Sequence, residues 1–146
     1  MLSKVNKLLL ACICYLLPGM FGLNNSFADN PCPHQIRGIN LAGAEFGKNG
    51  LPGVSAKDFK FPTEAHIKYY SLAGFNAIRL PIGWEKIQPA LFGDLDKTYS
   101  NNLLTFMAQA QKYDQRVVID LHNYARYRDQ LLGSAAVPSS AFYDLW

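Results

Sequence analysis

Arg116 to Tyr127 reads RVVIDLHNYARY. Its first half is an apolar, β-branched run of strand length, and the histidine, amide and aromatic residues after it suit the end of a strand rather than its continuation. Outward from it, two runs of the same character stand earlier in the chain, FNAIRL from Phe75 to Leu80 and IRGINL from Ile36 to Leu41. The gaps between them are long enough for helices. The first helix is expected after Pro62, with Thr63 as N-cap and Glu64 in the first turn, where the macrodipole accounts for it; Ile67 and Tyr70 face the core and Gly74 ends it. The second, about Tyr99 to Tyr113, carries Leu103, Phe106, Met107 and Ala110 on one apolar stripe. A third begins after Pro138, capped by Ser139 or Ser140, with Phe142, Leu145 and Trp146 as its first apolar contacts. Strands alternating with helices predict an α/β fold of βαβ units around a parallel sheet, either doubly wound or closed as a (β/α)₈ barrel. No glycine-rich phosphate loop follows any of the three strands, which favours the barrel. Eight βα units take about 250 residues, and the chain has room for three.

The 146 residues are 49% hydrophobic and 17% charged, with a formal net charge of +3, which disfavours low-complexity disorder and a polybasic nucleic-acid tail. Met1 to Ala28 has a basic start (Lys4, Lys7), an apolar run from Leu8 to Leu17 and the small-x-small ending Ser26-Phe27-Ala28. That order reads as a secretory signal cleaved before Asp29, which leaves a secreted or periplasmic protein without a stable membrane anchor. Pro18 and Gly19 interrupt the run well short of the roughly 20 residues that cross a bilayer. Without the two lysines the charge is nearly balanced, so no nucleic-acid partner is expected. Cys12 and Cys14 leave with the signal. Cys32 alone remains, which excludes a disulfide scaffold, and Cys32 with His34 is too small a set for a zinc site. An N-terminal entry loop is the simpler reading, and a thiol awaiting a partner the other. No metal or cofactor is expected. The chain ends at Trp146 within an apolar helical pattern, with neither a glycine cap nor a polar tail, so it reads as cut short before a fourth strand.

In parallel α/β folds the reactive groups gather at the carboxyl ends of the strands. Alternation puts Ala77 and Arg79 on one face of their strand and Val118, Asp120 and His122 on one face of the next. If those faces line a barrel, Arg79 and His122 stand at its mouth with Asp120 a layer below. A structural ion pair and a satisfied histidine would explain them equally well from spacing alone. Trp84, Asn123 and Tyr124 beside them favour a functional site, since aromatic faces and amides at one rim suit a sugar; Tyr127 and Phe46 read equally as loop packing. Glycoside hydrolysis needs two carboxyl groups flanking the bond. Of three glutamates, Glu64 belongs to a helix start, Glu85 reads as surface loop, and only Glu45 lies near the expected mouth.

These residues match a known pattern. RGINLAGAEFG, YYSLAGFNAIRLPIGWEKIQP, the Gly93-x-Leu95-Asp96 turn, VVIDLHNYARY, Gly133-Ser134 and AFYDLW occur in the order seen in the amino-terminal part of glycoside hydrolase family 5, and the chain most resembles its cellulases, the endo-β-1,4-glucanases. The likeness runs from about Ile36 to Trp146. It implies a (β/α)₈ TIM barrel of retaining, cofactor-free glycosidases acting on β-glucan, of which residues 29–146 form the first three units. It further implies that Arg79 supports the catalytic nucleophile and the sugar at the cleavage point, that His122 lines the same subsite, and that Asn123, Tyr124 and Trp84 lie near the bound glucan. The family's acid/base follows strand four in an Asn-Glu-Pro motif and its nucleophile follows strand seven; neither is in this sequence, so no catalytic residue is carried over and the chain alone is expected to be inactive. Asp114-Gln115 departs from the glycine that commonly closes helix two in the family. The alternative is a natural truncation that binds glucan or another chain without catalysis. An unrelated barrel acting on phosphorylated metabolites fits less well, given the export signal and the missing phosphate loop.

Overall fold

The computed structural model describes residues 35–47 and 51–146. The expected signal segment 1–28, Cys32 and His34 lie outside them. Three strands, β1 (Gly38–Asn40), β2 (Ala77–Ile82) and β3 (Arg116–Leu121), form a parallel sheet in the order β1-β2-β3. Helices α1 (Glu64–Leu72) and α3 (Lys97–Gln111) make the two crossovers, with a one-turn helix α2 (Trp84–Ile87) directly after β2. A two-stranded antiparallel ribbon, β4 (Arg126–Tyr127) and β5 (Gln130–Leu131), follows β3, and α4 (Ser139–Leu145) follows the ribbon.

The order of elements agrees with the sequence reading, and the boundaries differ for local reasons. Expected to stop at Leu80 before a proline, β2 runs on through Pro81. Arg79 O accepts the Leu41 N–H and Ile82 O accepts the His122 N–H, so Pro81 turns its missing N–H towards β1, beyond the last paired residue Asn40. No ladder bond is lost, which is the condition for proline in an inner strand. In α3 the Asp96 carboxylate caps the helix by accepting the Tyr99 N–H at 2.7 Å. The buried stripe there is Tyr99, Leu103, Phe106 and Ala110. Met107, expected on it, lies at the stripe's edge and is 39% exposed. The turn after α3, where the family commonly has glycine, is closed here by Asp114 in the left-handed region at φ 52°, which aspartate tolerates better than most side chains.

Ile78, Leu80 and Ile82 of β2 pack against Ile67 of α1 and the α3 stripe. Both crossover helices therefore cover one face of the sheet. The opposite face, with Asn40, Arg79, Val118 and Asp120, carries the polar residues, and Val118 is 59% exposed there. A second cluster joins Trp84, Tyr127, Val137 and Ala141, with Phe142 and Leu145 of α4 packed onto it. Trp146, expected among these contacts, is 65% exposed, and among the described residues the one ring against it is that of Phe142, 6.5 Å away.

Candidate functional site

Register brings the strand-end residues together. Asn40 pairs with Arg79 across β1 and β2, and Arg79 pairs with Val118 across β2 and β3, which sets Asp120 two residues farther along on the same face. Side chains one step apart on a shared face come within reach of one another. The Arg79 guanidinium donates through Nη1 to Asn40 Oδ1 and through Nη2 to Asp120 Oδ2, the latter at 2.5 Å. His122 Nδ1 lies 3.0 Å from the same Asp120 Oδ2 and 3.2 Å from Arg79 Nη2. Two of the guanidinium's five donors are thus tied to the protein, which leaves a planar, oriented fork for a ligand. Asn40 was not singled out in the sequence. A polar residue at the carboxyl end of the first strand, on the face of Arg79, was the available signal.

Tyr124 is 80% exposed and sits 4.9 Å from the His122 ring, centroid to centroid. Its backbone is left-handed, as is that of Ala125, with φ of 52° and 54°. An L side chain there costs of order 1–3 kcal/mol unless neighbours hold it, and the loop is held by Asn123 and Glu85. Asn123 Oδ1 accepts the Trp84 N–H at 2.8 Å, Asn123 Nδ2 donates to Glu85 Oε2, and Glu85 Oε1 accepts the Arg128 N–H at 2.7 Å. Asn123 is therefore a clamp between the start of α2 and the loop. Glu85, read from the sequence as surface, is the other half of that clamp. Glu45, at the mouth, accepts the Gly43 N–H at 2.7 Å.

Trp84 requires a correction. The sequence reading placed it at the rim beside a sugar, but it is 1% exposed. Its indole Nε1 donates to Gln88 Oε1 at 2.9 Å, and its ring meets Tyr127 and Phe142 edge to face at 5.2 and 6.0 Å. Alternation and loop position could not foresee this, because the residues that enclose it come 43 to 58 positions later, from the ribbon, α4 and the loop between them. Tyr127 is likewise buried, its hydroxyl donating to Gln88 O at 2.9 Å, and burial pushes its phenol pKa up.

An open pocket of about 340 Å³ extends from His122, Asn123 and Tyr124 towards Glu45, Arg126, Arg128 and Asp129. Lys86 lies against it, only 2% exposed, with Nζ 5.2 Å over the Phe59 ring and no hydrogen-bond partner among the described residues. Desolvation lowers its pKa, opposed by the fields of Asp58 and Glu85. No group of three or more potential metal ligands occurs among the described residues. Flat donors, an imidazole and an exposed aromatic face along an open groove are suited to holding a polyhydroxylated ligand.

Comparison with known proteins agrees with this layout. The sequence profile described as cellulase, glycosyl hydrolase family 5, matches residues 39–146. The chain is 31% identical over 99 residues to endo-β-1,4-glucanase B of Emericella nidulans, covering 68% of this chain and 30% of that protein. Among solved structures, an endo-β-1,4-glucanase of Xanthomonas axonopodis pv. citri superposes with a TM-score of 0.72 at 38% identity, over 75% of this chain and 34% of the other. Pseudomonas stutzeri endoglucanase Cel5A, crystallised with cellobiose, gives 0.71 at 35% identity, over 75% and 33%. The chain spans about a third of the length of the proteins it matches.

Proposed function

Because the chain belongs to glycoside hydrolase family 5, we propose that it forms the amino-terminal three βα units of the (β/α)₈ catalytic domain of an exported, retaining β-1,4-glucanase. In this reading residues 1–28 direct export and residues 29–146 supply one side of the cleft. The observation that carries it is the Arg79 fork, anchored to Asn40 and Asp120 beside His122 at the strand ends. Arg79 binds the sugar at the cleavage point and steadies the nucleophile, His122 lines the same subsite, and Tyr124 offers its exposed face to a glucose ring. Asn123 works one step back by holding the Tyr124 loop, and Trp84 supports the same loop from the core rather than touching glucan.

A retaining mechanism needs two carboxyl groups about 5 Å apart across the bond. Glu45 and Glu85 are both occupied with backbone N–H groups, and Asp120 is shared by Arg79 and His122. In the proposed enzyme the acid/base and nucleophile come from later strands, so residues 1–146 hold glucan without cleaving it. Titration with cellopentaose is expected to show weak binding that Arg79→Ala or Tyr124→Ala abolishes. Turnover of a soluble β-glucan above that of Arg79→Ala and His122→Ala controls would refute the assignment of the chemistry to later strands. Failure of any β-glucan to bind would refute the site.

The engagement of Glu45, Glu85 and Asp120 within the protein also suits a second reading, a glucan-binding protein without catalysis. The gene separates the two. A reading frame that continues past the Trp146 codon to an Asn-Glu-Pro motif and a later strand-end glutamate supports the hydrolase, and a stop codon there supports the binding protein.

A further inference from the structure

The hydrogen bonds around His122 determine which of its ring nitrogens carries the proton. A carboxylate oxygen only accepts and a guanidinium only donates. Asp120 Oδ2 stands 2.5 Å from Arg79 Nη2 and 3.0 Å from His122 Nδ1, and the two nitrogens are 3.2 Å apart. With the carboxylate in place, Nδ1 gains most by carrying its proton and donating to Oδ2. Among the described residues nothing bonds Nε2, so that nitrogen is left with its lone pair. We infer that Asp120 is a positioning residue that holds His122 in the Nδ1-protonated tautomer, making Nε2 a hydrogen-bond acceptor for a ligand hydroxyl, with Asn40 fixing the far side of the Arg79 fork. The inference deepens the glucan-cleft reading and rests on it for the nature of the ligand.

Arg79 gives the arrangement a second state. Without an acceptor at Oδ2, its Nη2 is already within hydrogen-bond reach of Nδ1 and can only donate. Nδ1 must then give up its proton and Nε2 takes it. The ring would present a donor where it had presented an acceptor, without moving. Asparagine at position 120 behaves differently, because the atom shared by Arg79 and His122 must be an oxygen. Its carbonyl can occupy that place and keep Nδ1 protonated without the charge. His66 supplies the opposite case within the same chain, since its Nδ1 accepts the Thr63 N–H at 3.1 Å and its proton therefore sits on Nε2.

The test is the two-bond ¹H–¹⁵N correlation spectrum of the ¹⁵N-histidine-labelled full chain at about pH 8, above the ordinary imidazole range. Protonated and unprotonated ring nitrogens resolve there, and a His122→Gln sample assigns the signals. Wild type and Asp120→Asn are expected to show His122 protonated at Nδ1, and Asp120→Leu to show it protonated at Nε2. Cellopentaose affinity is expected to fall about tenfold in Asp120→Leu and to recover largely in Asp120→Asn, the scale of one hydrogen bond turned from favourable to opposed. Wild-type His122 protonated at Nε2, or an Asp120→Leu protein still protonated at Nδ1, would overturn the inference. The tautomer spectra need no ligand. Loss of all glucan binding in wild type would count against the proposed function while the spectra still decide the role of Asp120.

Discussion

Asn123→Asp puts a carboxylate against a carboxylate with almost no change in shape. In the wild-type chain Asn123 Nδ2 donates to Glu85 Oε2 while Oδ1 accepts the Trp84 N–H. Aspartate keeps the second bond and turns the first into an oxygen–oxygen contact. Two unit charges 4 Å apart interact by about 4 kcal/mol at an effective dielectric of 20. Both side chains are half-buried, so screening and a small separation reduce this to about 2 kcal/mol, and the lost hydrogen bond adds about 1 kcal/mol. The variant should be about 3 kcal/mol less stable than wild type near neutral pH. The sign of the pH dependence follows from the pair. Repulsion raises the affinity of the folded state for one proton above that of the unfolded chain, so the stability that proton restores is present at low pH and lost as pH rises through the raised value. Urea unfolding at pH 7.5 and at pH 4 should show the deficit shrinking by half or more at the lower pH. Asn123→Ala loses both bonds and gains no charge, so its deficit should be the same at both. An Asn123→Asp protein as stable as wild type at pH 7.5, or one whose deficit ignores pH, would refute the clamp.

Tyr99→Phe keeps the ring against Phe59 and Phe61 but removes the hydroxyl that donates to Ala44 O at 2.9 Å and accepts the Gly83 N–H at 3.3 Å. Leaving two buried backbone groups unpaired should cost about 2–3 kcal/mol in urea unfolding. Burial also raises the Tyr99 phenol pKa, so wild-type stability should fall as pH rises above the ordinary tyrosine range, a loss that should be smaller in Tyr99→Phe, where the raised phenol of Tyr127 remains. Lys86→Met removes a buried ammonium that has no hydrogen-bond partner among the described residues, at the loss of one cation–π contact, and should stabilise the chain by about 1 kcal/mol at pH 7. Because the folded Lys86 pKa is lowered, wild type recovers stability as pH rises towards the ordinary lysine value, and thermal melts across that range should show the gap to Lys86→Met narrowing. Trp84→Ala should cost about 3–5 kcal/mol as a core cavity, and a thermal melt shifted by less than Met107→Ala shifts it would contradict the burial.

The sites show why some residues were legible in sequence and others were not. Arg79, Asp120 and His122 were readable because a strand has a side-chain period of two, so alternation puts Arg79 on one face of β2 and Asp120 and His122 on one face at the end of β3, and the β2–β3 register makes the two faces one. Asn123 and Tyr124 were readable as strand-end residues, though not the division of labour between them, since the amide of Asn123 is consumed by Trp84 and Glu85. Asn40 was missed because its role exists only through the β1–β2 register. Trp84 was misplaced because its position after a strand suggests a rim, whereas its burial comes from Tyr127, Val137 and Ala141, supplied by a ribbon, the loop after it and a helix that no local pattern connects to it.

The sequence by itself determined the alternation of strands and helices, their order, and the helix stripe that covers one face of the sheet, because those follow from periodicities of 2 and 3.6 within short windows. It also determined the family, through motifs whose order survives in the chain. Only the tertiary structure decided which polar side chains face a ligand and which hold one another. Hydrogen-bond donors and acceptors are satisfied by whatever lies within about 3 Å, and here those partners stand 38 to 41 residues apart in Asn123–Glu85, Arg79–Asn40 and Arg79–Asp120.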